Sequence, residues 1–85
     1  MSNQNIEDSD FESIKLGCQG SMVLIAQKML NSIGYGLEEN GNFDENMATI
    51  VRDFQIKSNS LAVDGVIDAE TMIAIDSAID LRKVS

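Results

Sequence analysis

The stretch NGNFD at residues 40–44 and the stretch DGVID at residues 64–68 decide the fold of this chain. Each stretch opens with a turn dipeptide whose residues tolerate positive φ. Each then reaches an apolar residue, Phe43 or Ile67, and ends with an aspartate that suits the N-cap of a helix. The offset of 24 residues between them indicates an internal repeat of turn, inward apolar residue, cap and helix.

Apolar residues recur at spacings of three and four around this repeat, which predicts three amphipathic helices. The predicted spans are 21–33, 45–57 and 69–81, with N-caps at Ser21, Asp44 and Asp68. Gly34 is predicted to end the first helix. The predicted buried faces comprise Met22, Val23, Ile25, Ala26, Met29, Leu30 and Ile33, then Met47, Ile50, Val51 and Phe54, then Met72, Ile75 and Ile79.

The length of 85 residues fits one domain with a small core. One turn-helix unit cannot bury its own apolar face, but two units packed on the first helix can. The sequence therefore predicts an all-α, compact three-helix bundle with an internal turn-helix repeat over residues 13–85. Residues 1–12 are polar, acidic and without periodicity, and are predicted to be a flexible acidic N-terminal tail.

The residue types present restrict the chemistry. Histidine is absent and Cys18 is the single cysteine, which excludes a Cys/His zinc site and any triad that needs an imidazole base. The acids lack the spacing of a calcium-binding EF-hand loop, and a paired-carboxylate glycosidase site needs a cleft that so short a chain has little room for. The sequence predicts no enzyme, no catalytic residues, no metal and no cofactor, and Cys18 is interpreted as a structural or incidental thiol.

The charge is −8, from 14 acids and 6 bases, and four of the acids lie in residues 1–12. Nucleic acid and anionic membrane surfaces are not expected as partners, because both need clustered Lys and Arg. No apolar run approaches the ~20 residues that cross a bilayer, so no membrane insertion is expected. The first residues lack a basic and apolar leader. The expected location is cytoplasmic at synthesis, with delivery to the periplasm or cell exterior by a route other than general secretion as a further hypothesis.

A set of residues spread over positions 14–79 occurs in a characteristic order and spacing: 17–23, Gln27, Leu30, Gly34, Tyr35, Gly41, Phe43, Val51, Phe54, Gln55, Leu61, Asp64, Gly65, Ile67 and Thr71. Through these residues the chain resembles the peptidoglycan-binding-like domain family. The resemblance implies a three-helix domain that is usually attached to cell-wall hydrolases and tethers them to murein. Several turn positions depart from the family pattern, among them Asn40, Asp44 and Asp68.

Five residues are candidates for ligand binding: Tyr35, Asn40, Gln55, Asn59 and Asp64. Neutral amide and hydroxyl groups suit a carbohydrate or a peptide stem, and an aromatic ring can stack on a sugar. Structural roles compete with each assignment. Gln55 can brace a neighbouring loop, the turn dipeptides at Asn40 and Asp64 are explained by their turns, and Tyr35 can be part of the core with its hydroxyl at the surface.

Two functions remain open. The first is a non-catalytic binding module that tethers or targets a partner to murein. The alternative is a protein–protein adaptor, or a structural component of a phage-like or contractile injection or secretion machine, that reuses the fold. The expected partner is accordingly peptidoglycan or a protein.

Overall fold

The computed structural model describes residues 13–59 and 62–84. It contains helices α1 (Ser21–Ser32), α2 (Glu45–Ser58) and α3 (Ala69–Val84). The predicted all-α, three-helix architecture is confirmed, although α1 ends one residue earlier than expected, α2 one later and α3 three later. The predicted tail over residues 1–12 lies outside the described residues, so the domain boundary stays a prediction.

Two of the three predicted N-caps are confirmed. The Oδ1 atom of Asp44 accepts from the backbone N–H of Met47 at 2.9 Å, and Asp68 does the same for Thr71 at 2.9 Å. The assignment of Ser21 was wrong. Ser21 is the first residue of α1, and Gly20 occupies the cap position without any side-chain hydrogen bond.

The end of α1 forms as predicted around Gly34. The N–H of Gly34 donates to the carbonyl of Asn31 at 3.0 Å, and the N–H of Tyr35 reaches back to the carbonyl of Leu30 at 3.2 Å. This pair of bonds is the Schellman motif, which satisfies carbonyls that the last helical turn leaves open. It also turns the chain toward the loop that leads into the first repeat.

The core lies between the three helices and the two repeat turns. Phe43 and Ile67, the equivalent apolar residues of the repeat, are 3% and 0% exposed, as predicted. Of the predicted α3 face, Ile75 is fully buried while Met72 and Ile79 are partly buried against the core. The buried apolar residues are Ile14, Val23, Ala26, Leu30, Leu37, Phe43, Met47, Ala48, Val51, Phe54, Ile67 and Ile75.

The buried stripe of α1 is narrower than its sequence suggested. Met22 and Ile25 were expected inside, but each is 46% exposed. At about 100° per residue they lie about 100° and 160° from Val23 around the helix axis. The polar residue Gln27 lies only about 40° from Val23 around the same axis, on the buried face, and it is 1% exposed.

Residues 13–20, here called the strap, join the two repeat turns. Ile14 pairs with Ile67 through two backbone bonds of 2.8 and 2.9 Å. Farther along, Phe43 donates to the Cys18 carbonyl at 2.9 Å and accepts from Gly17 at 3.0 Å. The strap thus bonds to both halves of the repeat. These pairings are long-range, so turn signals and helical periodicity do not predict them.

Candidate functional site

The first repeat turn is held by one buried glutamine on α1. The Oε1 atom of Gln27 accepts from the backbone N–H of Asn40 at 3.0 Å and of Gly41 at 2.9 Å. Its Nε2 donates to the Asn42 carbonyl at 2.9 Å and to the Asn40 side chain at 3.2 Å. A single primary amide therefore satisfies both donors and acceptors of the turn.

The second repeat turn is held in the same way by Gln55 on α2. Its Oε1 accepts from the N–H groups of Asp64 at 3.1 Å and Gly65 at 3.0 Å. Its Nε2 donates to the Val66 carbonyl at 3.0 Å and to Asp64 Oδ1 at 3.1 Å. Because an amide hydrogen-bonds at both ends of the turn, the backbone there is held in one geometry.

An open groove of about 280 Å³ lies beside this second turn. One wall belongs to the strap, one to α2 and one to the turn itself. Its lining combines apolar, cationic and acidic groups, which suits a ligand with mixed chemistry. The lining residues are Lys15, Leu16, Ala48, Arg52, Asp64, Gly65 and Val66.

Gly65 allows Arg52 to lie close against the turn. A Cβ atom at Gly65 would stand 3.0 Å from Arg52 Nη1 and 3.4 Å from its Cγ, and the backbone there has φ +75°. A side chain at this position would therefore be strained and would press on the arginine. The glycine needed for the turn also leaves the guanidinium its place in the groove.

A second cavity of about 210 Å³ lies on the other side of the strap, between the strap and the start of α1. Ser13, Ile14, Cys18, Gln19, Met22 and Val23 line it. This lining contains no Lys, Arg, Asp or Glu among the described residues. It therefore offers less for recognition than the groove beside the second turn.

Comparison with known proteins bears directly on this geometry. Residues 19–75 match the family described as "Putative peptidoglycan binding domain". The match covers α1, α2, both glutamine-held turns and the first part of α3. The chain belongs to this peptidoglycan-binding domain family.

Relatives carry such a domain within longer proteins. The chain is 33% identical over 76 residues to the carboxy-terminal processing protease CtpA of Bacillus subtilis (strain 168), covering 89% of this chain and 16% of the protease. It therefore spans about a sixth of the length of that curated relative.

Two solved structures share the fold. One is a fused Zn-dependent amidase/peptidase/peptidoglycan-binding domain-containing protein from Clostridium acetobutylicum ATCC 824, with a TM-score of 0.73 and 38% identity over 78% of this chain and 29% of that one. The other is the SleB N-terminal domain, with a TM-score of 0.75 and 30% identity over 80% of this chain and 93% of that one.

The five ligand candidates of this peptidoglycan-binding domain do not converge on one surface patch. Asn40 belongs to the first turn, whereas Gln55 and Asp64 meet at the second. Asn59 is the C-cap of α2 in the left-handed conformation, with φ 68°. Of the five, Asp64 lines the groove, while Gln55 is 1% exposed beneath it and braces the turn.

Tyr35 lies in a separate polar cluster at the side of α2. Its hydroxyl donates to Asp53 Oδ2 at 2.9 Å, and Lys57 forms an ion pair with the same oxygen at 3.0 Å. Burial, with the hydrogen bond and charge of Asp53, raises the pKa of Tyr35 to about 12. Hydrogen bonds from Lys57 and Tyr35 lower the pKa of Asp53. The hydroxyl therefore already has a firm partner within the domain.

Sequence reasoning missed Lys15 and Arg52 as candidate groups. A signal for Arg52 was available, because no acid lies three or four residues from it along α2, whereas Lys57 has Asp53 four residues earlier. Lys15 offered none, since its place beside the second turn depends on the pairing of Ile14 with Ile67.

Metal and membrane chemistry gain no support in the described part of the chain. No group of three or more His, Cys, Asp or Glu residues there is arranged to hold a metal ion. No described helix combines the length and apolar character needed to cross a bilayer. Cys18 is a free thiol, half-buried against the core.

Proposed function

We propose that this peptidoglycan-binding domain attaches to murein through the groove beside the second turn and holds a partner at the cell wall. The observation that carries the proposal is the open groove built on a turn that Gln55 fixes from below. A preformed surface loses little conformational freedom when a ligand binds. The tethered partner would be the remainder of a longer protein or a protein bound to this one.

The domain's relatives support the tethering part of this proposal. One relative is a carboxy-terminal processing protease, and another is a fused Zn-dependent amidase/peptidase that contains a peptidoglycan-binding domain. Residues 13–84 show no Ser–His or Cys–His pair, because the chain has no histidine. We accordingly propose a non-catalytic role for the domain itself, located wherever murein is accessible.

Sedimentation with purified sacculi tests the proposal. The domain should pellet with intact sacculi and stay in solution when they are first digested to soluble fragments. A domain that stays in the supernatant with intact sacculi at low and moderate salt contradicts it. Release of soluble muropeptides during the incubation would contradict the non-catalytic role. The adaptor alternative stays a prediction, and a partner recovered by affinity capture in the absence of murein would favour it.

A further inference from the structure

The groove contains both of the unpaired cations among the described side chains. Four Lys or Arg side chains are described in residues 13–80. Lys28 pairs with Glu39 at 3.1 Å and Lys57 with Asp53 at 3.0 Å. In the described part of the chain, Lys15 and Arg52 form no ion pair, and both line the groove.

Arg52 is held in place without having its charge neutralised. Its Nη2 donates to the neutral hydroxyl of Thr49 at 3.5 Å, and its Cγ and Nη1 lie against Gly65. A guanidinium offers five donors in a planar fork that matches a carboxylate. The contacts to Thr49 and Gly65 leave part of that fork for a ligand.

A local pair of cations is notable in a chain of charge −8. Beyond about 8 Å at physiological ionic strength, charges on an exposed surface are largely screened. Acids that lie farther than this from the groove therefore weaken its attraction for an anion only slightly.

Among the described residues, Asp64 is the one acid that lines the groove. Its Oδ1 accepts from Gln55 Nε2 at 3.1 Å and from the N–H of Val66 at 3.0 Å, so this oxygen is engaged within the turn. Leu16, which is 52% exposed, adds an apolar side chain to the lining of the groove. Cations, one acid and an apolar contact together match a short peptide that carries a free carboxylate and amide N–H groups more closely than an uncharged glycan.

We infer that the groove recognises a free carboxylate of the peptide stem, held by Arg52 and Lys15. This inference rests on the murein binding proposed above. The glycan strand is then a secondary contact. This assigns the ligand class to the peptide part of murein and the charge contact to two side chains of the strap and α2.

Sacculi whose carboxylates have been converted to amides test this inference. The wild-type domain should bind native sacculi about tenfold or more tightly than amidated sacculi, since a charge-assisted hydrogen bond is typically worth that factor or more. Arg52→Gln and Lys15→Gln should each bind native sacculi more weakly than the wild type does and should discriminate less between the two preparations. The double variant Arg52→Gln/Lys15→Gln should bind native sacculi as weakly as the wild type binds amidated ones.

Matched controls are available in Lys28→Gln and Lys57→Gln, which remove one positive charge outside the groove and should bind like wild type. Equal wild-type binding to native and amidated sacculi would overturn the carboxylate inference and leave murein binding intact. No binding to either would overturn murein binding as well. An equal loss of affinity for native sacculi in Lys28→Gln and Arg52→Gln would also contradict the carboxylate inference. The net charge of the domain, and not a contact in the groove, would then explain the binding. Should Arg52→Gln fail to fold, Lys15→Gln on the exposed strap decides the question.

Discussion

Gln27 and Gln55 hold the two repeat turns from within the protein. Each is 1% exposed and uses both ends of its amide on one turn. A buried backbone N–H left without its partner costs about 1–3 kcal/mol. The two glutamines therefore provide the backbone N–H groups of both turn dipeptides with hydrogen-bond acceptors inside the protein.

Replacing either glutamine by methionine should lower the free energy of unfolding of the domain. Gln27→Met and Gln55→Met each remove two acceptor contacts and at least two donor contacts while keeping a similar volume. We expect a loss of about 2–4 kcal/mol in the free energy of unfolding, measured by urea denaturation. Gln19→Met, at an exposed strap position, is the control. Losses indistinguishable from that control would contradict the bracing role.

Tyr35 gives the domain a dependence on alkaline pH. Its folded pKa of about 12 lies above the ordinary value of 10.0, so folding favours the neutral phenol. This contribution is present below about pH 10 and is lost as pH rises toward about 12. Ultraviolet titration of the phenolate should give a midpoint near 12 in the wild type and a lower one in Asp53→Asn. A wild-type midpoint near 10 in the folded protein would contradict the Tyr35–Asp53 hydrogen bond.

At the residue scale, the sequence predicted local features better than long-range ones. Phe43, Ile67, Asp44 and Asp68 follow from turn chemistry and helical periodicity, and all four occupy the predicted positions. The ligand candidates Tyr35, Asn40, Gln55, Asn59 and Asp64 stay predictions. The structural role considered for Gln55, bracing a neighbouring loop, agrees with its hydrogen bonds to the turn nine residues later.

At the element scale, the starts of the three helices show that similar N-cap signals in the sequence can lead to different structures. Asp44 and Asp68 cap α2 and α3 through side-chain bonds, whereas Ser21 only opens α1. The backbone of Gly20 is fixed by its bond to the Gly41 carbonyl at 2.9 Å, which sets the start of α1 without a side-chain cap. A local cap signal was thus overridden by a tertiary contact.

Alanine substitution distinguishes the two N-cap residues, Asp44 and Asp68, from Ser21, which is not an N-cap. Asp44→Ala and Asp68→Ala should each lower the free energy of unfolding by about 1 kcal/mol, because an N-terminal N–H loses its acceptor. Ser21→Ala should change it by less than about 0.5 kcal/mol, as for an ordinary exposed surface site. Thermal and urea unfolding of the three variants check the order. A larger loss for Ser21→Ala than for Asp44→Ala would contradict the assignment.

At the scale of the whole molecule, the strap joins the repeats into one unit. Ile14 is 4% exposed and bonds to the second turn, while Gly17, Cys18 and Gly20 bond to the first. Family resemblance and periodicity predicted the three helices, but the pairing of the strap with both turns requires contacts across more than twenty residues of sequence. The groove depends on this pairing, which is why Lys15 could not be placed from the sequence.

Truncation tests the strap as a structural part of the domain. A chain that begins at Ser13 should unfold at the same temperature as the full chain, because the strap and its backbone bonds are retained. A chain that begins at Ser21 should lose cooperative unfolding, since Ile14 leaves the core and both turns lose their partners. Circular dichroism during heating distinguishes them. Cooperative unfolding of the shorter chain at the full-length temperature would contradict this role.

The central claim is that murein binds at the groove beside the second turn. Nuclear magnetic resonance titration of the ¹⁵N-labelled domain with soluble murein fragments that retain their peptide stems tests it most directly. The largest backbone shift changes should lie at Lys15, Leu16, Arg52, Gly65 and Val66, with little change at Tyr35 or Lys28. Shift changes concentrated on the exposed side of α1 around Met22 and Ile25, with the groove unaffected, would contradict the claim.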